Sequence, residues 1–223
     1  MAKWYLTVMT SDEKIRNIIG ITWSCYKEKV ASGLLAPENE KMMQLQFSML
    51  LQGLVPMFEF VSDESIKILL EEPVDINRTP SRRIIDIVVL HTQHGIRTHY
   101  PIELKCFRRL ARHGGGMRGG QNLGMYDYWM DIENVEQYSM LPNFGFGTHL
   151  ALTDDIYYVT GEHNGPQVRV YSTNVRRTDV SGTLIQAIKN REGKIELGGC
   201  YSTSHWEHLN GFYFIIQQTN SCV

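Results

Sequence analysis

The spacing of apolar side chains predicts an amphipathic helix at the start of the chain. Thr10 and Glu13 have the spacing of a capping box, in which a hydroxyl and a carboxylate each accept a hydrogen bond from a backbone N–H of the first turn. Apolar residues then recur every three or four positions until Gly33. This pattern is typical of a helix that buries one face.

A second helix is predicted after Pro37, a residue that favours the first turn of a helix. Its apolar face runs from Met43 to Leu54, which suits packing against a core. Glu40 and Gln44 lie one turn apart on the polar side. The helix therefore presents an acid and an amide side by side.

The middle of the chain predicts a β-hairpin. Residues from Arg83 to Leu90 are mostly β-branched, which favours a strand, and a polar turn follows that ends in Gly95. A second strand is predicted at 97–107. Pro101 lacks a backbone N–H, so we interpret this strand as an edge or as a strand start.

The remaining pattern mixes helices and strands. It predicts, in order, a helix from Met125 to Ser139, a strand at 148–153, a strand near 168–171, a helix near 183–190 and a strand at 212–216. Residues 56–72 fit either type. Interspersed elements indicate an α/β or α+β fold with a mixed sheet. Because no repeat or linker divides the sequence, we expect one domain over residues 1–223.

Composition excludes several classes of protein. The 223 residues carry 22 Lys and Arg against 24 Asp and Glu, a net charge of −2, so any nucleic-acid site must be a local patch. The four cysteines form no CxxC pair, which argues against a zinc ribbon or a disulfide framework and favours reduced thiols. With no membrane-spanning run or signal segment visible, the expected location is cytoplasmic.

The hairpin carries candidate chemistry. Asp86 is the one acid in its apolar strand, and the period of two places Glu103 and Lys105 on one face of the next strand. If the hairpin pairs in register, Asp86 and Glu103 approach each other, and two close carboxylates repel unless a cation lies between them. Such an oxygen site suits Mg²⁺ or Mn²⁺. The alternative is an ion-pair cluster on the sheet surface.

These residues resemble a known family. Asp86, sixteen intervening residues and then Glu103-Leu104-Lys105 are similar to the D…ExK core of the PD-(D/E)XK nuclease superfamily, which has the restriction-endonuclease-like fold. The resemblance covers about residues 37–155 and implies an αβββαβ core, with an extra N-terminal helix and a C-terminal elaboration at 156–223. One departure is Ile85, which stands where the family name has a proline.

The resemblance also implies roles for residues. Asp86, Glu103 and the backbone carbonyl of Leu104 are expected to hold Mg²⁺ or Mn²⁺, and Lys105 to orient or deprotonate the attacking water. Glu40 is expected to bind a second metal ion, with a solvated helix residue as the alternative. A possible extension of the site comprises Gln44 and, on the third helix, Asp127, Asp131 and Tyr138.

Basic residues follow the candidate site. The segment 104–126 contains no acid but carries Lys105, Arg108, Arg109, Arg112 and Arg118, so we predict a patch that binds the DNA backbone. Residues 114–119 formally match GxGxxG but lack a βαβ unit, so we interpret them as a flexible loop that orders on the substrate or as a plain connection. Further along, Arg169, Arg176 and Arg177 could contact substrate or form an oligomer interface.

The function expected from this sequence is that of a metal-dependent nuclease. It would hydrolyse phosphodiester bonds, as a DNA endonuclease in restriction, defence or repair, and as a homodimer if it cuts both strands. One alternative is a catalytically inactive nuclease-like module that binds nucleic acid or acts as a scaffold. Another is a binding module for a nucleotide messenger or a partner protein. DNA against RNA, and endo against exo cleavage, stay open at this stage.

Overall fold

The computed structural model describes residues 9–76, 83–110, 116–117 and 119–219, apart from the side chain of Gln167. The longer helices are α1 (Ser11–Ala31), α2 (Glu40–Leu54) and α3 (Gln121–Ser139), with a 3₁₀ turn at Val55–Met57 and short helices α4 (Tyr157–Thr160) and α5 (Pro166–Val170). The strands are β1 (Ser65–Val74), β2 (Arg83–Gln93), β3 (Ile96–Phe107), β4 (Thr148–Thr153), β5 (Val180–Ile185), β6 (Lys194–Tyr201), β7 (Glu207–Leu209) and β8 (Phe212–Gln218).

Six strands form one mixed sheet in the order β1-β2-β3-β4-β8-β7. Only β3 and β4 are parallel neighbours within it, and α3 makes the crossover between them. The other neighbours are antiparallel, and β5 and β6 pair separately as a two-stranded sheet. The fold is therefore of the mixed α/β class, as the sequence pattern predicted.

Helices cover both faces of this sheet. On one face, α1 and α2 bury an apolar cluster that includes Trp23, Phe47 and Leu104. On the other face, α3 buries Trp129 against β4 and β8, while β5 and β6 pack on its far side. The helix α3 therefore lies between the six-stranded sheet and the strands β5 and β6.

Local signals account for the elements that the sequence predicted correctly. Thr10 caps α1 with both hydrogen bonds of the capping box, and Gly33 follows the helix at a φ of 78°. The turn between β2 and β3 consists of His94 and Gly95, with φ angles of 51° and 77°. Two positive φ angles in a two-residue turn match the twist of an antiparallel hairpin. The second helix is also confirmed, although it begins at Glu40 with Asn39 as its cap.

In three short segments, the secondary structure predicted from the sequence was wrong or had been left open. The strand predicted near 168–171 lies mostly in α5, and the helix predicted near 183–190 falls partly on β5, which pairs with β6. The undecided segment 56–72 ends in β1. Such short stretches contain too few apolar positions for a period to be measured, so tertiary packing decides their structure.

Pro101 also lies in a different place from the one expected. It is inside β3, paired with Val88 of β2, and β3 is flanked by strands on both sides. The interpretation of this segment as an edge strand or as a strand start was therefore wrong. Pairing with β4 begins only at Ile102, one residue later, so the sheet tolerates the missing N–H at this position. None of the described helices combines the length and the apolar character needed to cross a membrane.

Candidate active site at the separation of β2 and β3

The strands β2 and β3 stop pairing at the first predicted acid. Their ladder ends at the pair Ile87 and Ile102, so Asp86 and Glu103 are the next residues in the same register. The Asp86 carboxylate accepts a hydrogen bond from the Leu104 N–H, with Oδ2 at 2.9 Å. The Asp86 side chain thus accepts the hydrogen bond of the Leu104 N–H at a position where the backbone of β2 no longer pairs with β3.

Lys105 joins elements from both sides of this opening. Its Nζ lies 3.2 Å from Glu40 Oε2, at the start of α2, and 2.9 Å from Asp131 Oδ2, in the middle of α3. The second contact is an ion pair without the alignment of a full hydrogen bond. We call Glu40, Asp86, Glu103, Lys105 and Asp131 the acid–lysine cluster.

Negative charge exceeds positive charge in this cluster. Four carboxylates face one ammonium group, and Glu103 and Asp131 are only 6% and 8% exposed. Burial raises the pKa of Glu103 well above its usual range, and the carboxylates of Asp131 and Asp86 raise it further. Burial likewise raises the pKa of Asp131 to about 7, although Lys105 opposes the shift. An additional cation would therefore favour full ionisation of the acids.

Lys105 itself keeps its charge. Burial opposes the protonated form, but the carboxylates of Asp131 and Glu40 outweigh this effect and raise the pKa of the lysine above its usual range. For Glu40, burial raises the carboxyl pKa even though Lys105 lies beside it. Lys105 is thus an ammonium group at neutral pH, held between two helices.

The donor set fits a hard divalent cation that keeps several waters. Over the described ranges, no three His, Cys, Asp or Glu side chains are arranged to hold a metal ion. Asp86 and Glu103 offer two carboxylates, and Mg²⁺ is commonly bound by one or two carboxylates with water and phosphate oxygens completing the shell. The excess negative charge of the cluster favours such an ion.

The fold brings only some residues of the predicted extension to the acid–lysine cluster. Gln44 is buried, and its Nε2 donates to the backbone carbonyl of Asp86 and, at 2.7 Å, to Glu71 Oε1. Tyr138 is also buried, and burial together with the carboxylate of Glu103 raises the pKa of its phenol. Asp127 points elsewhere, because it pairs with Arg191 at 2.7 and 2.8 Å. Sequence spacing alone could not separate Asp127 from Asp131, since they lie one helical turn apart.

The predicted basic patch is only partly within the described residues. Arg108 is bound to the protein itself, with its Nε 2.9 Å from Asp154 Oδ2 and its guanidinium over the Phe212 ring. Arg109 is exposed, and its backbone N–H donates to the same aspartate. Arg112, Gly114, Gly115 and Arg118 lie outside the described residues. Of the described arginines in the patch, Arg109 is therefore the one available to a phosphate.

Two residues near the site were missed by sequence reasoning. Glu71 of β1 has a φ of 54°, an unusual conformation for a residue with a side chain, and reaches Gln44 and Lys41. His149 lies beside Glu103 in the β3–β4 ladder and is fully buried. A single histidine within an apolar strand carries no sequence signal that would indicate its neighbours.

His149 has an unusual environment. Its Nε2 is 3.8 Å from Asp131 Oδ2, and its ring meets Tyr128 edge-on at 4.6 Å between centroids. Neither ring nitrogen has a hydrogen-bond partner in the described part of the chain. Burial lowers the pKa of the imidazole well below its usual value, so the ring is neutral.

Compared with the models of known protein families, with curated proteins and with solved structures, the chain matches none. The activity can therefore be inferred only from the chemistry of the cluster and its place in the fold.

Proposed function

We propose that this chain is a metal-dependent nuclease that hydrolyses phosphodiester bonds, with DNA as its substrate. The observation that carries the proposal is the acid–lysine cluster, in which Asp86 and Glu103 meet where β2 and β3 separate and Lys105 stands beside them. Paired carboxylates with an adjacent ammonium group suit a reaction that places a metal-bound water next to a phosphate.

The order of elements supports the same proposal. The sequence α2-β1-β2-β3-α3-β4 has the order of the αβββαβ core that the resemblance implies. The first three of these strands are consecutive and antiparallel, and β4 lies parallel to β3. Fold order alone does not define an activity, so the site residues carry more weight.

The roles of the site residues follow from their surroundings. Asp86 and Glu103, with the Leu104 carbonyl that the resemblance implies, would hold Mg²⁺ or Mn²⁺. The bound ion would polarise a phosphate oxygen and acidify a water. Because Lys105 is protonated, it would orient that water and offset the negative charge that builds up on the phosphate, rather than act as a base.

Glu40 has a more specific role in this scheme than the one predicted. Its carboxylate contacts Lys105 at 3.2 Å, so it fixes the position of the ammonium group from the start of α2. Asp131 holds the same group from α3. Ligation of a second metal ion by Glu40 stays a prediction, since the described contact is to the lysine.

Cleavage assays test the proposal directly. Supercoiled plasmid, single-stranded DNA and RNA are incubated with the protein in Mg²⁺, Mn²⁺ or EDTA. We expect metal-dependent cutting that falls by about 100-fold or more in Lys105→Ala and Asp86→Asn, because each removes charge that acts on the transition state. Arg191→Gln is the control, since Arg191 pairs with Asp127 away from the cluster.

A non-catalytic module is the second candidate, and one observation favours it. Lys105 already has two carboxylate partners, so its positive charge is satisfied within the protein without a phosphate. Absence of cutting on every substrate, with nucleic-acid binding unchanged in Lys105→Ala, would support this module. Cutting that persists in Asp86→Asn would contradict the proposed site.

A further inference from the structure

An open cleft lies outside the acid–lysine cluster. The chain between Thr160 and Arg177, which includes α5, encloses about 530 Å³. Three arginines line it, Arg169, Arg176 and Arg177, together with polar groups such as Ser172 and Asn174. Glu162 is the one acid among its lining residues, against three guanidinium groups. We call this the arginine cleft.

The positive charge in this cleft is not balanced by carboxylates. Over the described residues, none of the three arginines forms an ion pair with an acid. By contrast, Arg108 and Arg191 elsewhere in the molecule each face an aspartate. Arg169 and Arg176 are exposed, and no described side-chain hydrogen bond engages either guanidinium group.

Arg177 forms the inner part of the cleft. Its guanidinium donates to the backbone carbonyls of Arg169, at 3.0 Å, and Val170, and lies 5.6 Å from the Trp129 ring. Burial lowers the pKa of this arginine. Partial burial of a cation beside neutral carbonyls is unfavourable without an anion, so the arrangement favours a ligand of negative charge.

The lining of the cleft is held in place by hydrogen bonds. His163 is buried and bonded at both ring nitrogens, to the Ser172 hydroxyl at 2.6 Å and the Tyr157 carbonyl at 2.7 Å. The Asn174 carboxamide oxygen accepts from the Arg176 N–H at 2.9 Å. The backbone that carries the arginines is therefore preorganised, which lowers the entropy lost on binding.

The segment that lines the arginine cleft follows β4 in the chain, with residues 154–159 between them. Ala151 of β4 is the ladder partner of Lys105. Just beyond the two strands, the pair Arg108 and Asp154 joins their carboxyl ends. In open α/β sheets, ligands bind outside the carboxyl ends of parallel strands.

We propose that Arg169, Arg176 and Arg177 form a phosphate-binding site for the backbone of the nucleic-acid strand whose cleavage we assign to the acid–lysine cluster. This inference rests on the proposed function. Guanidinium groups bind phosphate oxygens through two parallel hydrogen bonds, which neither lysine nor a neutral amide reproduces. The site would fix the strand at a distance from the bond that is cut.

Binding in EDTA tests the inference without cleavage. The anisotropy of a fluorescent DNA duplex is measured against the full chain at several salt concentrations. Arg169→Gln/Arg176→Gln should bind at least about 10-fold more weakly, and the slope of log K against log [salt] should fall by about 2, since two phosphate contacts are lost. Both arginines are exposed, so the variant should keep its fold, which circular dichroism checks.

Arg191→Gln serves as the matched control, because it removes an exposed arginine that already has a carboxylate partner. It should bind DNA as the wild type does. The inference is overturned if the double variant keeps the affinity and salt slope of the wild type, or if the wild type binds no DNA. Binding that depends on the two arginines in a protein that never cuts would support the phosphate site and contradict the nuclease.

Discussion

His149 is buried beside the candidate site, and among the described residues its ring nitrogens have no hydrogen-bond partner. Such groups are rare in folded proteins, because each loses its hydrogen bonds to water on folding. His163 provides a contrast within the same chain, since both of its nitrogens are hydrogen-bonded. Comparing the two residues therefore shows how the stability of the fold depends on whether a buried imidazole is hydrogen-bonded.

For His149→Phe, we expect a free energy of unfolding that is unchanged or higher by about 1 kcal/mol, because the unpaired nitrogens disappear and the ring contact with Tyr128 is kept. His163→Phe should lose about 1–3 kcal/mol, since it removes the hydrogen bonds of the imidazole to the Ser172 hydroxyl and the Tyr157 carbonyl. Urea denaturation of both variants measures the difference. A loss above about 2 kcal/mol in His149→Phe would show that the imidazole is hydrogen-bonded in solution.

Glu64 is a buried carboxylate outside the acid–lysine cluster. Burial opposes its charge, but hydrogen bonds from Lys14, the Phe60 N–H and His91 outweigh this and lower the pKa of Glu64 to about 2. Its stabilising effect is therefore complete above its ordinary pKa of 4.5 and is lost as the pH falls toward 2.

Glu64→Gln should lower the free energy of unfolding by about 3–5 kcal/mol at pH 7, because Lys14 stays buried without its counter-charge. The difference from the wild type should shrink at pH 3, where Glu64 begins to take up a proton. Glu28→Gln, on the exposed side of α1, is the control and should change stability by less than about 0.5 kcal/mol. An equal loss at both pH values would contradict the role of the charge.

At the level of elements, the position of α3 depends on a close approach at Gly124. A Cβ on this residue would meet the Tyr158 hydroxyl and lie 3.0 Å from the Phe107 ring. Gly20 of α1 also lies inside a helix, yet a Cβ there would meet nothing within 4 Å. The same substitution should therefore have opposite effects at the two sites.

Gly20→Ala should raise the free energy of unfolding by about 0.5–1 kcal/mol, because alanine loses less backbone entropy on forming a helix. Gly124→Ala should lower it by about 1–3 kcal/mol, because the added methyl group overpacks the contact between α3 and the end of β3. Thermal and urea denaturation report both values. Stabilisation by Gly124→Ala would mean that α3 is not seated as described.

Elements beyond the six-stranded sheet are attached through α3 as well. The Glu136 carboxylate accepts hydrogen bonds from the Gly198 and Gly199 N–H groups and from the Tyr201 hydroxyl, at 2.9, 2.6 and 2.6 Å. Glu133 of α3 also accepts from the Glu196 N–H at 2.9 Å, so two acids of this helix hold β6, while Asp131 faces Lys105. The helix connects the candidate site to the C-terminal part of the molecule.

For the whole molecule, the candidate site carries a cost in stability. The folded state raises the pKa of Glu103, so above its ordinary pKa of 4.5 the folded chain keeps a proton that the unfolded chain releases. Stability therefore falls as the pH rises through this range. A cation that replaces the proton would restore it.

Glu103→Gln should therefore be more stable than the wild type at pH 8 in EDTA, and the advantage should disappear near pH 4, where the glutamate is protonated in both states. Mg²⁺ at about 100 times its dissociation constant should stabilise the wild type by about 2.7 kcal/mol and leave the variant unchanged. Thermal denaturation with and without Mg²⁺ measures both effects. Equal responses of the two proteins to Mg²⁺ would place any bound ion elsewhere.

The sequence by itself determined the elements whose signals are local. The capping box of α1, the turn at Gly95, the period of α3 and the apolar strand β4 each depend on residues within a few positions of one another. The period of two along β3 likewise placed Glu103 and Lys105 on one face. Local backbone geometry is enough for such predictions, because few arrangements satisfy it.

Only the tertiary structure decided which residues meet. Asp131 faces Lys105 while Asp127 turns to Arg191, and β5 becomes a strand because β6 pairs with it. The surroundings of His149 also depend on a distant chain segment, because Asp131 and Tyr128 lie on α3. Side-chain periodicity specifies the direction in which a residue points, whereas its partner and its desolvation depend on how the whole chain packs.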